Sequence, residues 1–158
     1  MEGASETDEL LVKVSSKLLL YIVLAPDCPI SLKYINTIRK LEENYNEQVT
    51  FVGLFPKIYS VAERDNFKAE YNIEFDILID HSNKLINEYN INVTPEVLLL
   101  GSDSKVLYQG AIDNWFYELG KSRSKPTEYY LKDAIDSILD NLKVEISKTE
   151  AIGCIISK

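Results

Sequence analysis

Residues 18–31 read LLLYIVLAPDCPIS, and this stretch decides how the rest of the chain is interpreted. The apolar run at 18–25 predicts a strand that is buried on both faces. Cys28 follows it, and then Pro29, which suits the first turn of a helix because an N–H at that position has no helical partner. The peptide N–H groups and the dipole at a helix start favour a thiolate over a thiol. Cys28 is therefore a candidate reactive cysteine.

The length and composition are those of one ordinary globular domain. The chain has 158 residues, of which 46% are hydrophobic and 27% charged, with a formal net charge of −8. This acidic balance argues against nucleic acid as a partner, since phosphate binding needs clustered Lys and Arg. No apolar run approaches the roughly 20 residues that span a bilayer. We expect residues 1–158 to form a single domain, with residues 1–9 as a disordered lead and residues 143–158 as a C-terminal tail.

Hydrophobic periodicity predicts the order β-α-β-α-β-α-β-β-α. Strands are predicted at 18–25, 49–55, 75–79, 97–100 and 105–109, with a short edge strand at 10–14. Helices are predicted at 29–45, at 61–71, at 83–89 capped by Ser82, and at 127–142 capped by Thr127. Alternation implies right-handed parallel crossovers, and the last two strands form an antiparallel hairpin. The long connection at 111–126 is expected to be functional or to be packed by its own aromatic side chains.

The second cysteine, Cys154, lies close to the C-terminus. The two sulfurs are a redox couple, a structural tie or unrelated groups. A bridge to Cys28 would close a loop of about 125 residues, for which the chain-entropy model gives roughly 5 kcal/mol. The apolar tail around Cys154 favours packing against the domain and so an intramolecular bridge; pairing with another chain is the alternative.

Metal and cofactor sites have no support in the sequence. The chain has one histidine, His81, and two distant cysteines, so no metal-ligand spacing is present. It also lacks a P-loop and a dinucleotide-binding glycine motif. We therefore expect neither a metal nor a cofactor.

Three segments resemble the thioredoxin fold. Residues 28–31 (CPIS) stand where a thioredoxin has its C-x-x-C motif, residues 93–95 (VTP) match the loop whose proline is cis and faces the cysteine, and residues 97–109 match the hairpin that follows. The resemblance covers about residues 18–142. It implies an α/β fold: a three-layer α/β/α sandwich around a mixed central sheet, with parallel strands and a C-terminal hairpin. A cis bond between Thr94 and Pro95 would let the backbone before Pro95 pair with an extended substrate strand.

A narrower resemblance is to the redoxin-domain proteins of the alkyl hydroperoxide reductase/thiol-specific antioxidant superfamily. The similar segments are DCPIS at 27–31, YQGAIDN at 108–114 and TEAIGC at 149–154. This resemblance implies oxidoreductase or antioxidant activity, and a protein thiol or disulfide, or a small oxidant, as the partner. Many such proteins are exported, so it favours a periplasmic or extracytoplasmic location over a cytoplasmic one.

The sequence departs from both families around Cys28. Ser31 replaces the second cysteine of the motif, so a local disulfide cannot form, and the charge of Asp27 opposes a thiolate. Ala25 stands where peroxiredoxins have threonine, and no arginine is close in sequence to polarise a peroxide. The hydroxyl of Ser31 would instead donate a hydrogen bond to the Cys28 sulfur.

Three functions stay open. In the first, the chain is a thiol–disulfide oxidoreductase in which Cys28 attacks and Cys154 resolves, supported by Pro29, Ser31, Thr94 and Pro95. In the second, it is a non-catalytic binding or scaffold domain with a structural Cys28–Cys154 disulfide. In the third, it is a peroxiredoxin-like peroxidase.

Overall fold

The fold is known from a computed structural model that describes residues 18–158. Its elements in chain order are β1 (Leu18–Val23), α1 (Pro29–Lys33), α2 (Ile35–Tyr45), β2 (Val49–Pro56), α3 (Val61–Glu70), β3 (Asp76–Asp80), α4 (Lys84–Glu88), β4 (Val93–Thr94), β5 (Glu96–Leu100), β6 (Val106–Gly110), β7 (Phe116–Glu118), β8 (Lys121–Ser122), α5 (Tyr130–Leu139) and β9 (Cys154–Ile155). The predicted lead at 1–9 and edge strand at 10–14 lie outside the described residues.

A mixed five-stranded sheet forms the centre, in the order β3-β2-β1-β5-β6. β1 and β2 are parallel, with Leu18 opposite Val49, and β2 and β3 are also parallel. β5 runs antiparallel to both β1 and β6. The predicted parallel first half and the closing antiparallel hairpin are confirmed. This order places the C-terminal end of β1, where Cys28 follows, beside the start of β5.

The side chains of β1 alternate between two hydrophobic cores. Leu18, Leu20 and Ile22 face the core that is covered by α1, α2, α3 and α5. Leu19 and Tyr21 face the other core, which α4 and the C-terminal tail cover. Both faces of the strand are buried, as the continuous apolar run predicts. The sheet therefore lies between two layers.

The segment predicted as one helix at 29–45 forms two helices, α1 and α2, because the helix is interrupted at Tyr34. The Tyr34 N–H bonds the carbonyl of Ser31, three residues back, which ends α1. The Tyr34 hydroxyl donates to the buried carboxylate of Asp113 at 2.6 Å. Helical periodicity continues across the break, so the sequence pattern alone does not reveal it.

The predicted cap of α4 is wrong. Ser82 lies in a 3₁₀ turn with φ of 63° and does not cap the helix. The carboxylate of Asp80 takes that role, since it accepts the N–H groups of Leu85 and Ile86 at 3.1 and 2.8 Å. A longer side chain placed before the turn reaches the same unbonded donors.

The predicted cap of α5 is also wrong. The helix begins at Tyr130 rather than at Thr127. The Thr127 hydroxyl instead accepts from the Asn114 amide at 2.7 Å, and the Asn114 carbonyl oxygen accepts the Thr127 N–H at 2.8 Å. Thr127 therefore fixes the connection that precedes the helix.

The connection at 111–126 contains a β7–β8 hairpin that the sequence pattern did not predict. Two of its aromatic rings pack on Tyr34: Trp115 at 5.4 Å and Phe116 at 6.0 Å between ring centroids. The aromatic side chains thus hold this segment against α1 and α2. Within residues 18–158, no helix has both the length and the hydrophobicity needed to cross a membrane.

Candidate redox site

A disulfide joins Cys28 to Cys154, which are 126 positions apart in sequence and have their Cα atoms 6.0 Å apart. Cys28 is the N-cap of α1 and is 2% exposed. Cys154 begins β9 and is partly buried. Of the alternatives left open by the sequence, the structure has the intramolecular bridge. The bond attaches the C-terminal tail to the junction between β1 and α1.

The sulfur of Cys28 has two backbone neighbours. The N–H of Ser31 donates to Sγ at 3.4 Å, and the carbonyl oxygen of Thr94 lies 3.4 Å from it. The bonded sulfur has no hydrogen, so the carbonyl becomes a hydrogen-bond acceptor only after reduction to a thiol. A thiolate would keep the Ser31 N–H as a donor, and hydrogen bonds to a charged form favour that form.

The structure gives the Ser31 side chain a hydrogen bond other than the one expected to the sulfur. Its oxygen accepts the N–H of Ala25 at 3.4 Å, across the turn that connects β1 to α1. The hydrogen bond to the sulfur comes from the backbone N–H of Ser31. The side chain of Ser31 therefore stabilises the turn, and its backbone N–H is the donor to the Cys28 sulfur.

The loop before β5 lies against the disulfide, and the peptide bond between Thr94 and Pro95 is cis. β4 pairs antiparallel with β9, so that Thr94 is opposite Cys154 and Val93 is opposite Ile155. The tail strand therefore occupies the backbone edge where the resemblance to thioredoxins places an extended substrate strand.

Gly153 allows this close approach. A Cβ atom at this position would overlap the carbonyl group of Thr94. Any side chain here would force β9 away from β4. The sequence pattern does not predict β9, because a two-residue strand has no periodicity. The signal that the sequence offers is a glycine directly before Cys154, which is typical of a close approach of two backbone segments.

The tail is held on both sides of Cys154. Beyond it, the side chain of Ile156 is 8% exposed, and its N–H donates to the Asn92 carbonyl at 2.9 Å. Before it, the Thr149 hydroxyl accepts the N–H of Ala111 at 2.8 Å and shares a hydrogen bond with the Tyr108 hydroxyl at 2.6 Å. The tail is thus a packed part of the domain.

A cleft of about 270 Å³ opens beside the disulfide. Its lining residues include both cysteines, Asp27, Ile58, Tyr59 and Ile155. Ile58 is 56% exposed and Ile155 is 84% exposed, so apolar side chains border the cleft.

Asp27 contributes its carboxylate to this cleft. The carboxylate accepts the Tyr59 hydroxyl at 2.7 Å. Burial and this hydrogen bond raise the pKa of Tyr59 above its ordinary value, so the phenol stays protonated and remains a donor at neutral pH. The carboxylate of Asp27, whose charge is expected to oppose the Cys28 thiolate, thus accepts a hydrogen bond from a neutral phenol.

Two further features of residues 18–158 bear on metal and peroxidase chemistry. In this range, no cluster of His, Cys, Asp and Glu side chains is arranged to hold a metal ion. The described lining of the cleft includes Ala25 and contains no arginine.

Comparison with known proteins agrees with this architecture. No family model matches the sequence, and no curated protein matches it. Among solved structures, an uncharacterised conserved protein from Geobacillus kaustophilus superposes with a TM-score of 0.78 at 19% identity, over 90% of this chain and 78% of that one. A thioredoxin-like protein from Aeropyrum pernix gives 0.59 at 15% identity, over 84% and 81% of the two chains.

The fold is thioredoxin-like. A secreted disulfide oxidoreductase from Mycobacterium tuberculosis, described as homologous to Escherichia coli DsbE, gives a TM-score of 0.55 at 18% identity, over 83% of this chain and 86% of that one. At such identities the likeness is one of fold and does not extend to activity.

Proposed function

We propose that the protein is a thiol–disulfide oxidoreductase whose redox unit is the Cys28–Cys154 pair. The observation that carries the proposal is the position of the bond: it lies at the N-cap of α1 and beside the β4 edge that precedes Pro95. The chain has no other cysteine. Any internal redox cycle therefore uses these two sulfurs.

The reaction balances as a two-electron exchange with a partner dithiol. A partner thiolate attacks one sulfur of the pair, the Cys28–Cys154 bond breaks, and the other cysteine leaves as a thiolate. The second partner thiolate then attacks the mixed disulfide and releases the remaining cysteine. The partner ends as a disulfide, and the protein ends with two thiols that hold the two protons.

In the other half of the cycle, the reduced protein attacks the disulfide of a second, oxidising partner. Cys28 is the nucleophile in this proposal, because the Ser31 N–H that donates to its sulfur favours a thiolate, against the opposing effects of burial and of the Thr94 carbonyl. Cys154 then attacks the Cys28 sulfur of the mixed disulfide and restores the internal bond. The partner leaves with both of its sulfurs reduced.

A protein thiol or disulfide suits this cleft as the partner. The borders of the cleft are apolar at Ile58 and Ile155, and β4 offers a backbone edge once β9 has left it. We propose an extracytoplasmic location, because disulfides persist in oxidising compartments and one structural neighbour is a secreted disulfide oxidoreductase.

A turnover assay tests the proposal. The oxidised protein is mixed with a peptide that carries two thiols and whose fluorescence changes when they become a disulfide. The wild type should oxidise the peptide, and Cys28→Ser and Cys154→Ser should each abolish the reaction. Ser102→Ala, in the turn between β5 and β6, is the matched control and should react like the wild type. Equal rates for wild type and both cysteine variants would refute the proposal.

A scaffold domain with a structural disulfide is the second candidate. The observation in its favour is burial: Cys28 is 2% exposed, and the tail is also held by Ile156 and Thr149. In that case the bond would resist a mild reductant in the folded protein and would open only on unfolding.

Peroxidase activity has less support. Ala25 stands where a peroxiredoxin has threonine, and it lines the cleft. The described lining of the cleft holds no arginine. Peroxide consumption with a thiol donor is the corresponding assay, and we expect no turnover above the thiol background.

A further inference from the structure

We propose that an incoming reducing thiol attacks the sulfur of Cys154, and that Cys28 is the leaving thiolate. This inference rests on the proposed function and specifies which end of the disulfide the reductant contacts. It concerns the half-reaction that starts from the oxidised protein, in which Cys28 is buried and bonded; the attack of Cys28 on a partner disulfide starts from the reduced protein.

Access is the first reason. A thiolate must reach a sulfur before it can exchange with it, and the rate depends on which sulfur is reachable. Cys28 is 2% exposed beneath α1 and the loop before Pro95. Cys154 is partly exposed on an outer two-residue strand, next to Ile155, which is 84% exposed. A partner that approaches over Ile155 meets Cys154 first.

The stability of the leaving group is the second reason. Exchange is faster when the departing thiol has the lower pKa. The departing Cys28 sulfur keeps a hydrogen bond from the Ser31 N–H at 3.4 Å. Among the described residues, the hydrogen bonds found for Cys154 are those of the β4 pairing, made by its backbone. Both reasons select the same direction of attack.

The bonds and electrons of this step balance. The reductant's sulfur forms a bond to Cys154 Sγ as the Cys154–Cys28 bond breaks. The electron pair of the broken bond stays on the Cys28 sulfur, which leaves as a thiolate. A second thiol of the reductant then attacks the reductant sulfur bonded to Cys154 and releases the Cys154 thiolate. The reductant becomes a disulfide, and the protein gains two electrons.

The tail strand is consequently the part of the molecule that holds the mixed disulfide. Once Cys28 has left, β9 remains on the domain through its pairing with β4, the burial of Ile156 and the hydrogen bond from the Ile156 N–H to the Asn92 carbonyl. The intermediate is therefore attached to an outer strand beside the exposed side chain of Ile155, from which side a protein partner approaches.

Mapping of the attacked sulfur tests the inference. The oxidised, folded wild type is treated with two probes separately: glutathione, and sulfite, which leaves an S-sulfo group on the sulfur that it attacks. Samples are quenched with acid at early times, the free thiols are alkylated, and the peptides are assigned by mass spectrometry. A denatured sample treated in the same way is the control, since unfolding removes the difference in access between the two cysteines.

We expect the adduct on Cys154 and the alkyl group on Cys28, in at least about tenfold excess over the reverse pattern in the folded protein. An adduct mainly on Cys28, or an even distribution between the two cysteines, would overturn the inference. Either of those outcomes leaves the proposed function intact if the dithiol peptide is still oxidised. Absence of reaction with both probes until the protein is unfolded would overturn the inference and the proposed function together.

Discussion

Tyr34 joins parts of the chain that are far apart in sequence. It ends α1, its ring packs against Trp115, and its hydroxyl donates to Asp113 at 2.6 Å. Burial raises the pKa of Asp113, whereas the hydrogen bond from Tyr34 lowers it. The side chain of Tyr34 thus connects the end of α1 to the 111–126 connection and to the buried carboxyl group of Asp113.

We predict that Tyr34→Phe destabilises the protein by about 1–3 kcal/mol, because a buried carboxylate loses a donor. The N–H of Trp115 still donates to Asp113 at 2.9 Å, so the loss is partial. Urea unfolding with the disulfide intact measures the change. Tyr129→Phe, which removes an exposed hydroxyl, is the control and should stay within about 0.5 kcal/mol of the wild type. Equal losses in the two variants would contradict the role given to the Asp113 contact.

Glu96 gives the stability a dependence on pH. It is 9% exposed at the start of β5, and burial raises the pKa of its carboxyl even though Gln109 donates to it at 3.0 Å. A folded-state pKa above the unfolded-state value means that folding favours the protonated form. This contribution to stability is complete below the unfolded pKa of about 4.3 and is lost as the pH rises through the folded pKa.

We therefore predict that Glu96→Gln gains stability relative to the wild type as the pH rises from 4 to 7. The amide keeps an acceptor for Gln109 and carries no charge to bury. Urea unfolding at several pH values, with Glu47→Gln on the surface as the control, measures the trend. If the difference between Glu96→Gln and the wild type stays constant across this range, burial of the Glu96 charge is not the cause.

At the scale of elements, β9 illustrates what a sequence can and cannot disclose. The largely apolar residues 151–156 predict a packed tail, and Ile156 of this tail belongs to the core under α4. Its pairing with β4 depends on contacts between residues about 60 positions apart, and no local pattern encodes them. The sequence pattern does not show the break at Tyr34, because helical periodicity continues across it. It also does not show the cap by Asp80, because that carboxylate reaches N–H groups five and six residues ahead.

The neighbours Ile155 and Ile156 test how the tail is anchored. Ile156 is 8% exposed and belongs to the core between α4 and the sheet, whereas Ile155 is 84% exposed. We predict that Ile156→Ala costs about 2–4 kcal/mol in urea unfolding of the oxidised protein. Ile155→Ala has the same chemistry at an exposed site and should change stability by less than about 0.5 kcal/mol. Similar costs at both positions would mean that the tail is not anchored through Ile156.

At the scale of the whole molecule, the sequence predicts the layers, the parallel first half of the sheet and the site around Cys28. The parallel first half follows from the alternation of strand and helix patterns, and the site follows from one cysteine between a strand and a helix, whereas the layers are what the resemblance to the thioredoxin fold implies. Which partner Cys28 takes could not be derived, because the bridge spans 126 positions and requires the tail to return across the sheet. The residue that makes this return possible is Gly153, whose missing side chain leaves room for the Thr94 carbonyl.

The central claim is that the Cys28–Cys154 bond is a reversible redox couple. The most direct measurement is a titration of the folded protein in thiol–disulfide buffers of known potential, with the bonded fraction read by alkylation and mass spectrometry and with folding followed by circular dichroism. We predict a midpoint between about −270 and −120 mV, the range of thiol–disulfide oxidoreductases, because the departing Cys28 thiolate is stabilised by the Ser31 N–H. A midpoint below about −300 mV, or reduction that occurs only together with unfolding, would contradict the claim and identify the bond as structural.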